Sequence, residues 1–149
     1  MQITWTYVKF DELTLRQLYA IFQLRIEVFI VEQNCPFQDA DNKDSEGYHL
    51  MGWKDNLLAA YTRLLPPGIS YKEPSIGRVV TSPKARGGGL GKELMQRSID
   101  ECYRLFGKTP IKIGAQLYLK RFYELYGFRQ DSDIYDEDGI DHIEMILKI

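Results

Sequence analysis

The sequence predicts a mixed α+β domain, with several antiparallel strands and helices interleaved. Apolar–polar alternation marks strands at both ends of the chain and through its middle. Two stretches, opening at Thr14 and near Leu90, carry apolar residues at helical spacing. A turn doublet, Asp55-Asn56, joins two of the alternating runs as a hairpin. Strands in succession, broken by helices at irregular intervals, point away from a strict βαβα order.

Residues 2–8 alternate Ile3, Trp5 and Tyr7 with polar neighbours, as a half-buried strand does. Thr14 is placed to cap a helix whose apolar set, Leu15, Leu18, Tyr19, Phe22, Ile26 and Phe29, runs to about Val31. An irregular acidic stretch, NCPFQDADNKDSEG, follows. Strands are expected at 48–53 and 57–65, the second ended by Pro66-Pro67-Gly68, and again from Ile76 to Thr81. After a glycine run, a helix opens near Leu90 with Leu94, Ile99, Cys102, Leu105 and Phe106 facing inward. The break Gly107-Lys108-Thr109-Pro110 precedes a strand, IKIGA, and a short helix, YLKRFYELYG, that Gly127 stops. The remainder reads as two strands around the turn DEDG.

At 149 residues, with 44% hydrophobic and 27% charged side chains, residues 1–149 are expected to form one globular domain. A net charge of −2 argues against a nucleic-acid partner, which calls for a basic footprint. Cys35 and Cys102 fit no metal motif or disulfide framework and read as reduced thiols. MQITWTYVKF lacks a signal-peptide pattern and no 18-residue apolar run is present, so a cytoplasmic protein without a membrane partner is expected.

The run Arg86-Gly87-Gly88-Gly89-Leu90-Gly91-Lys92 lies between a strand and a helix start. That arrangement suits an anion, because the first N–H groups of a helix lack internal partners and its dipole favours negative charge. Walker A fails: Arg86 stands where its first Gly belongs, and Glu93 where Ser or Thr follows the Lys. A Rossmann G-x-G-x-x-G fails from Gly87, which meets Lys92, and from Gly89, which meets Leu94. A ligand-free glycine turn remains the bland alternative.

A third pattern, Arg/Gln-x-x-Gly-x-Gly/Ala, is matched by Arg86, Gly89 and Gly91, and resembles the pyrophosphate signature of the GNAT superfamily of N-acyltransferases. The segment IGRVVTSPKARGGGLG resembles that superfamily's strand-to-loop unit. RFYELYGF resembles its second motif, with Tyr123 four residues before Gly127-Phe128. LRIEVFIVEQNCPFQDADNKDSEGYHL resembles the ElaA-like subgroup, so the likeness spans nearly the whole chain.

The resemblance implies a mixed, mostly antiparallel central sheet flanked by helices and splayed at the acyl-CoA strand. It implies acetyl-CoA as co-substrate, with its pantetheine along Val79, Val80 and Thr81 and its pyrophosphate on Arg86, Gly87, Gly88, Gly89, Leu90 and Gly91. Gln116 stands where an Asn often precedes the tyrosine by seven residues, and keeps a side-chain amide toward the pantetheine or substrate. The reaction implied is direct attack of a primary amine on the acetyl carbon, with Tyr123 as general acid to the departing thiolate. The acceptor is a small-molecule or peptide amine, and pairing of such domains makes a homodimer an expectation.

The general base stays open among Glu32, His49 and His142, with Glu144 beside the last of these. Imidazole titrates in the most suitable range, although a structural role is the commoner one for a histidine. Arg25 either pairs a nearby carboxylate or touches substrate. DADNKD departs from a calcium loop at Lys43, Asp44 and Leu50, so no metal is expected; the run reads as a solvated loop or an attractor of cationic amine. Two readings from other classes stand beside the enzyme: a non-catalytic acyl-CoA sensor or partner-regulating domain, and a nucleotide-phosphate module.

Overall fold

In the computed structural model, which describes residues 2–149, eight strands form one sheet. In chain order the elements are β1 (Thr4–Lys9), α1 (Leu15–Arg25), β2 (Tyr48–Lys54), β3 (Leu57–Leu65), β4 (Ser75–Thr81) and α2 (Leu90–Phe106). They continue with β5 (Ile111–Gln116), α3 (Lys120–Glu124), β6 (Arg129–Gln130), β7 (Tyr135–Glu137) and β8 (Ile140–Leu147). The sheet order is β1-β2-β3-β4-β5-β8-β6, with β7 also pairing β8. All these pairings are antiparallel except β4 with β5.

Alternation along the central strands sends successive side chains to opposite faces. Met51 and Tyr61 meet Ile21, Leu24 and Val28 of the first helical segment. Leu50 and Ala60 meet Leu90 and Leu94 of α2. Farther along α2, Met95, Ile99 and Cys102 pack with Ile111 and Ile113 of β5 and with Phe128, Ile143 and Met145. Each such buried aliphatic side chain contributes about 1.5–3 kcal/mol.

Thr14 caps α1 as expected, accepting the Gln17 N–H at 3.1 Å while the Gln17 side chain accepts the Thr14 N–H at 2.9 Å. The buried face differs from the expected one. Leu15, Tyr19 and Ile26 are exposed, and Ile21, Leu24, Arg25 and Val28 face inward. Arg25 is wholly buried, which a pattern scoring arginine as polar misreads by turning the helix outward. From Ile26 to Glu32 the helix widens to π geometry, with the Gln33 N–H on Val28 O and the Cys35 N–H on Ile30 O.

The acidic stretch is not a solvated loop. Asp39 and Asp44 are buried, and Asp39, Asp41 and Asp44 share ion pairs with Arg25, Arg63 and Arg78 at 2.7–3.2 Å. Of its two expected roles, Arg25 takes the structural one, donating from Nε to Asp39 at 2.8 Å and from Nη1 to Asp44 at 2.7 Å. Burial alone would raise the Asp41 carboxyl, but the Arg63 hydrogen bond and charge outweigh it and hold it at about 2.

Two departures from regular pairing set β4 apart. Its only register pair with β5 among the described residues is Ser75↔Lys112, so the strands diverge beyond that point and leave a wedge. Its pairing with β3 slips between Tyr61↔Val80 and Arg63↔Gly77, which places Arg78 and Val79 opposite Thr62 as a bulge. Arg78 holds φ at +52°, a conformation that costs a non-glycine residue roughly 1–3 kcal/mol.

Past the wedge, the expected short helix splits into a 3-10 turn at Leu117–Leu119 and α3, which Gly127 stops at φ +99°. The final region holds a short additional strand: β6 and β7 are separate, and both lie along β8.

Candidate active site

Gly87, Gly88 and Gly89 hold φ at +98°, +64° and +79°, which explains three successive glycines on conformational grounds. Gly91 needs another reason. It lies in the first turn of α2 without a positive φ, and a Cβ there meets nothing within 4 Å. Glycine destabilises such a position by about 0.5–1 kcal/mol relative to alanine. No described residue occupies the space that this glycine leaves open. Gly91 and Lys92 N–H groups lack backbone partners among the described residues, whereas the Glu93 N–H reaches Gly89 O at 3.0 Å. Bare donors, open space and the positive end of a 17-residue helix fit a pyrophosphate. The Leu90 side chain is buried beneath, so only its backbone faces the loop.

Arg86 stands at the loop's start and forms a forked pair with Glu32, at 2.6 Å and 2.8 Å. Both side chains are 42% exposed, so the fork lies at the surface and within reach of solvent ions. Hydrogen bonding to Arg86 holds the Glu32 carboxyl below its ordinary value.

A cleft of about 500 Å³ opens in the wedge between β4 and β5. Gly77, Arg78, Val79, Val80 and Thr81 form one wall, and Ile113, Gly114 and Gln116 the other. Arg86 and Glu32 stand at the loop side; Glu137, Asp138, Ile140 and His142 close another side. Tyr123 reaches in from α3, 6% exposed, its ring edge-on to Phe122 and Phe128. Its hydroxyl makes no hydrogen bond to the described residues. Burial, with a smaller contribution from Tyr118, pushes that hydroxyl above the ordinary tyrosine value, which keeps it protonated at neutral pH. Tyr118 is 71% exposed at the cleft, and Tyr126, just past α3, donates to Lys92 O of α2 at 3.0 Å.

The three base candidates separate. His49 lies away from this cleft, with Nδ1 2.7 Å from the Tyr61 hydroxyl and Nε2 2.9 Å from Asp44 O. Burial lowers its pKa, and both nitrogens are engaged inside the core, so the geometry contradicts its expected place at the site. Glu32 lines the cleft but is occupied by Arg86. His142 lines the cleft with Nδ1 2.8 Å from Ile140 O, and its ring stacks on Tyr135. Its Nε2 lies 3.3 Å from a Glu137 carboxylate oxygen. Glu144 instead pairs Lys112 at 3.0 Å.

Several cleft residues carry no sequence signal of their own. Gln33, at the end of the π segment, exchanges amide hydrogen bonds with Gln116 at 3.2 Å and 3.4 Å, so Gln116 is engaged across the cleft. The Cys35 thiol donates to Asp138 O at 3.2 Å. Phe37 lies under the Arg78 guanidinium. All depend on a loop path that local patterning does not encode. Among the described residues no three His, Cys, Asp or Glu side chains gather as metal ligands, and no helix is long and apolar enough to cross a membrane.

Comparison with known proteins agrees with this geometry. Residues 23–149 match the family described as acetyltransferase (GNAT) domain. The chain is 41% identical over 149 residues to protein ElaA of Escherichia coli strain K12, covering 99% of this chain and 97% of that one. The crystal structure of Escherichia coli ElaA superposes with a TM-score of 0.91 over 99% of this chain and 100% of that one, at 40% identity. An acyl-CoA N-acyltransferase from Pseudomonas aeruginosa gives 0.93 at 45% identity, over 98% and 99% of the two chains. A more distant GNAT acetyltransferase from Elizabethkingia anophelis, its structure holding acetyl-CoA, shares the fold at 0.66 and 15% identity, over 99% and 98%. With its wedge-shaped sheet, glycine loop and buried tyrosine, this chain belongs to the GNAT acyltransferase family.

Proposed function

We propose that this protein transfers the acetyl group of acetyl-CoA to a primary amine by direct attack. One observation supports the reading most: Arg86, which leads into the glycine loop, the stretch of β4 without a β5 partner and Tyr123 all line one cleft. Acetyl-CoA supplies a thioester whose carbonyl carbon accepts the amine. The chain supplies the rest. Loop N–H groups and Arg86 take the pyrophosphate, and Arg86 must exchange Glu32 for phosphate as it does so. Residues Val79–Thr81, without a β5 partner, offer backbone groups to the pantetheine in the manner of an added strand. A bulge N–H there polarises the thioester carbonyl.

A primary alkylamine is only about 0.04% neutral at pH 7, so a proton must leave it. His142 Nε2 takes that proton, directly or through water. As the new C–N bond forms, the C–S bond breaks and the Tyr123 O–H gives its proton to the departing sulfur. The acylated nitrogen passes its surplus proton to the tyrosinate through water and His142 releases the first proton to solvent, so the products are an N-acetyl amine, CoA thiol and one proton.

Thiol release from acetyl-CoA across a panel of small amines and peptides tests this, with calorimetric acetyl-CoA binding in parallel. Release with at least one amine is the expected result. Binding without release on any amine would replace transfer with a non-catalytic acyl-CoA sensor. Absence of both would remove the reading.

A further inference from the structure

We propose that Arg78 is a positioning residue, its guanidinium holding the bulged backbone of β4 in place for acyl transfer through Asp39 and Asp41. This role rests on the acyltransferase reading. Arg78 combines three features found together nowhere else among the described residues. It lines the cleft, it sits in the β4 bulge, and it holds a left-handed backbone conformation on a strand. Such a conformation persists only where the surroundings over-determine it.

The surroundings here are specific. Arg78 Nε lies 3.0 Å from Asp39 Oδ1, and Nη2 donates to Asp39 O at 3.1 Å and to Asp41 Oδ2 at 3.2 Å. Those carboxylates are anchored in turn. Arg25 holds Asp39 from α1, and Arg63 holds Asp41 from β3 at 2.8 Å and 2.9 Å. Arg63 stands directly opposite Gly77, the residue before Arg78, in the β3–β4 register. Three guanidiniums and three carboxylates therefore close on one another around the bulge, with one arm on the neighbouring strand and one on the helix.

The loop that supplies the carboxylates also supplies Phe37, which lies under Arg78 and lines the same cleft. The network thus joins the strand that faces the thioester to a wall on its far side. A displacement of about 1 Å at a reacting centre can lower turnover 100-fold, so a small slackening of this grip is enough to matter.

Glycine adopts a positive φ freely, so Arg78→Gly keeps the bulge conformation and removes only the grip. The expected result is a 10- to 100-fold fall in kcat, with KM for acetyl-CoA within threefold of wild type. Arg78→Lys keeps one charge but not the paired Nη2 hydrogen bonds to Asp39 O and Asp41, and is expected three- to tenfold below wild type. Wild-type kcat in Arg78→Gly overturns the proposal. So does an equal fall in both variants that tracks their loss of thermal stability. If Arg78→Gly does not fold, Arg78→Lys decides: a threefold or greater fall in kcat at unchanged KM supports the proposal, and wild-type kcat overturns it. If the wild-type protein releases no thiol with any amine, the acyltransferase reading fails and backbone order still tests the grip. Amide order parameters of Val79 and Val80 in Arg78→Lys would then fall from rigid values near 0.85 to below about 0.7, and unchanged values overturn it.

Discussion

Replacing Tyr123 by Phe removes one oxygen from a side chain that is 6% exposed. The ring keeps its edge-on contacts with Phe122 and Phe128, at centroid distances of 5.2 Å and 6.1 Å. Because the hydroxyl bonds to no described residue, its removal orphans no partner, and stability should change by less than about 1 kcal/mol. That corresponds to a Tm shift of no more than about 4 °C. Acetyl-CoA affinity should stay within about threefold, since the pyrophosphate loop lies on another element. Turnover should fall about 10²- to 10⁴-fold, the usual contribution of a positioned acid, equivalent to roughly 3–5 kcal/mol of barrier. The assay is thiol release at saturating acetyl-CoA from pH 6.5 to 9.5, beside calorimetric binding and thermal unfolding. Burial raises the hydroxyl's pKa, so wild-type turnover should not decline on the alkaline side near the ordinary tyrosine value of about 10. Turnover within threefold of wild type at every pH would refute the acid role. So would a loss of turnover matched by equal losses of binding and stability.

Gly91→Ala should pull two measurements apart: thermal stability rises by about 0.5–1 kcal/mol from helix propensity, while acetyl-CoA affinity falls at least tenfold as the methyl enters the space beside the free N–H groups. Equal or tighter binding would show that the pyrophosphate lies elsewhere. Arg86→Gln should raise KM for acetyl-CoA about 10- to 100-fold at near-constant kcat and flatten its salt dependence, measured by initial rates at two ionic strengths. Glu32→Gln frees Arg86 from its fork and should tighten CoA binding about two- to fivefold, read by calorimetry. Asp41 is held at about 2, below its unfolded value near 3.8, so its stabilisation, about 1 kcal/mol once solvent screening is allowed for, is complete above about pH 5. It is lost as pH falls from about 5 toward 2, and Asp41→Asn should remove that share of the slope in acid unfolding curves.

Much of the fold was legible because strand and helix periods are local properties. The Asp55-Asn56 hairpin, the start of α2 after Gly89 and the stop at Gly127 follow from residues within a few positions of one another. The orientation of α1 was not, because its inner face carries Arg25, and arginine becomes an inward residue only when Asp39 and Asp44 arrive from a distant loop. The same long-range pairing turned an acidic run from an expected surface loop into the interior. The β4 bulge lay hidden for a related reason: Arg78 in a left-handed conformation looks like any strand residue until its partners are known.

The two halves of the site differ in the same way, and the difference bears on function. The side proposed for the acyl donor is a backbone feature: positive-φ glycines, bare N–H groups at a helix start and a strand that diverges from β5. Those features are written within a short stretch, so the strand, glycine turn and helix start around Gly87 to Gly91 were legible from sequence alone. The other side is assembled from Gln33, Cys35 and Phe37, which reach Gln116, Asp138 and Arg78 across long sequence separations. Of the base candidates, His142 and Glu32 line the cleft and His49 lies in the core. A wall of interlocked side chains shifts when one of them is replaced. Changes confined to Gln33, Cys35 and Phe37 should therefore alter which amine is accepted while leaving acetyl-CoA binding in place.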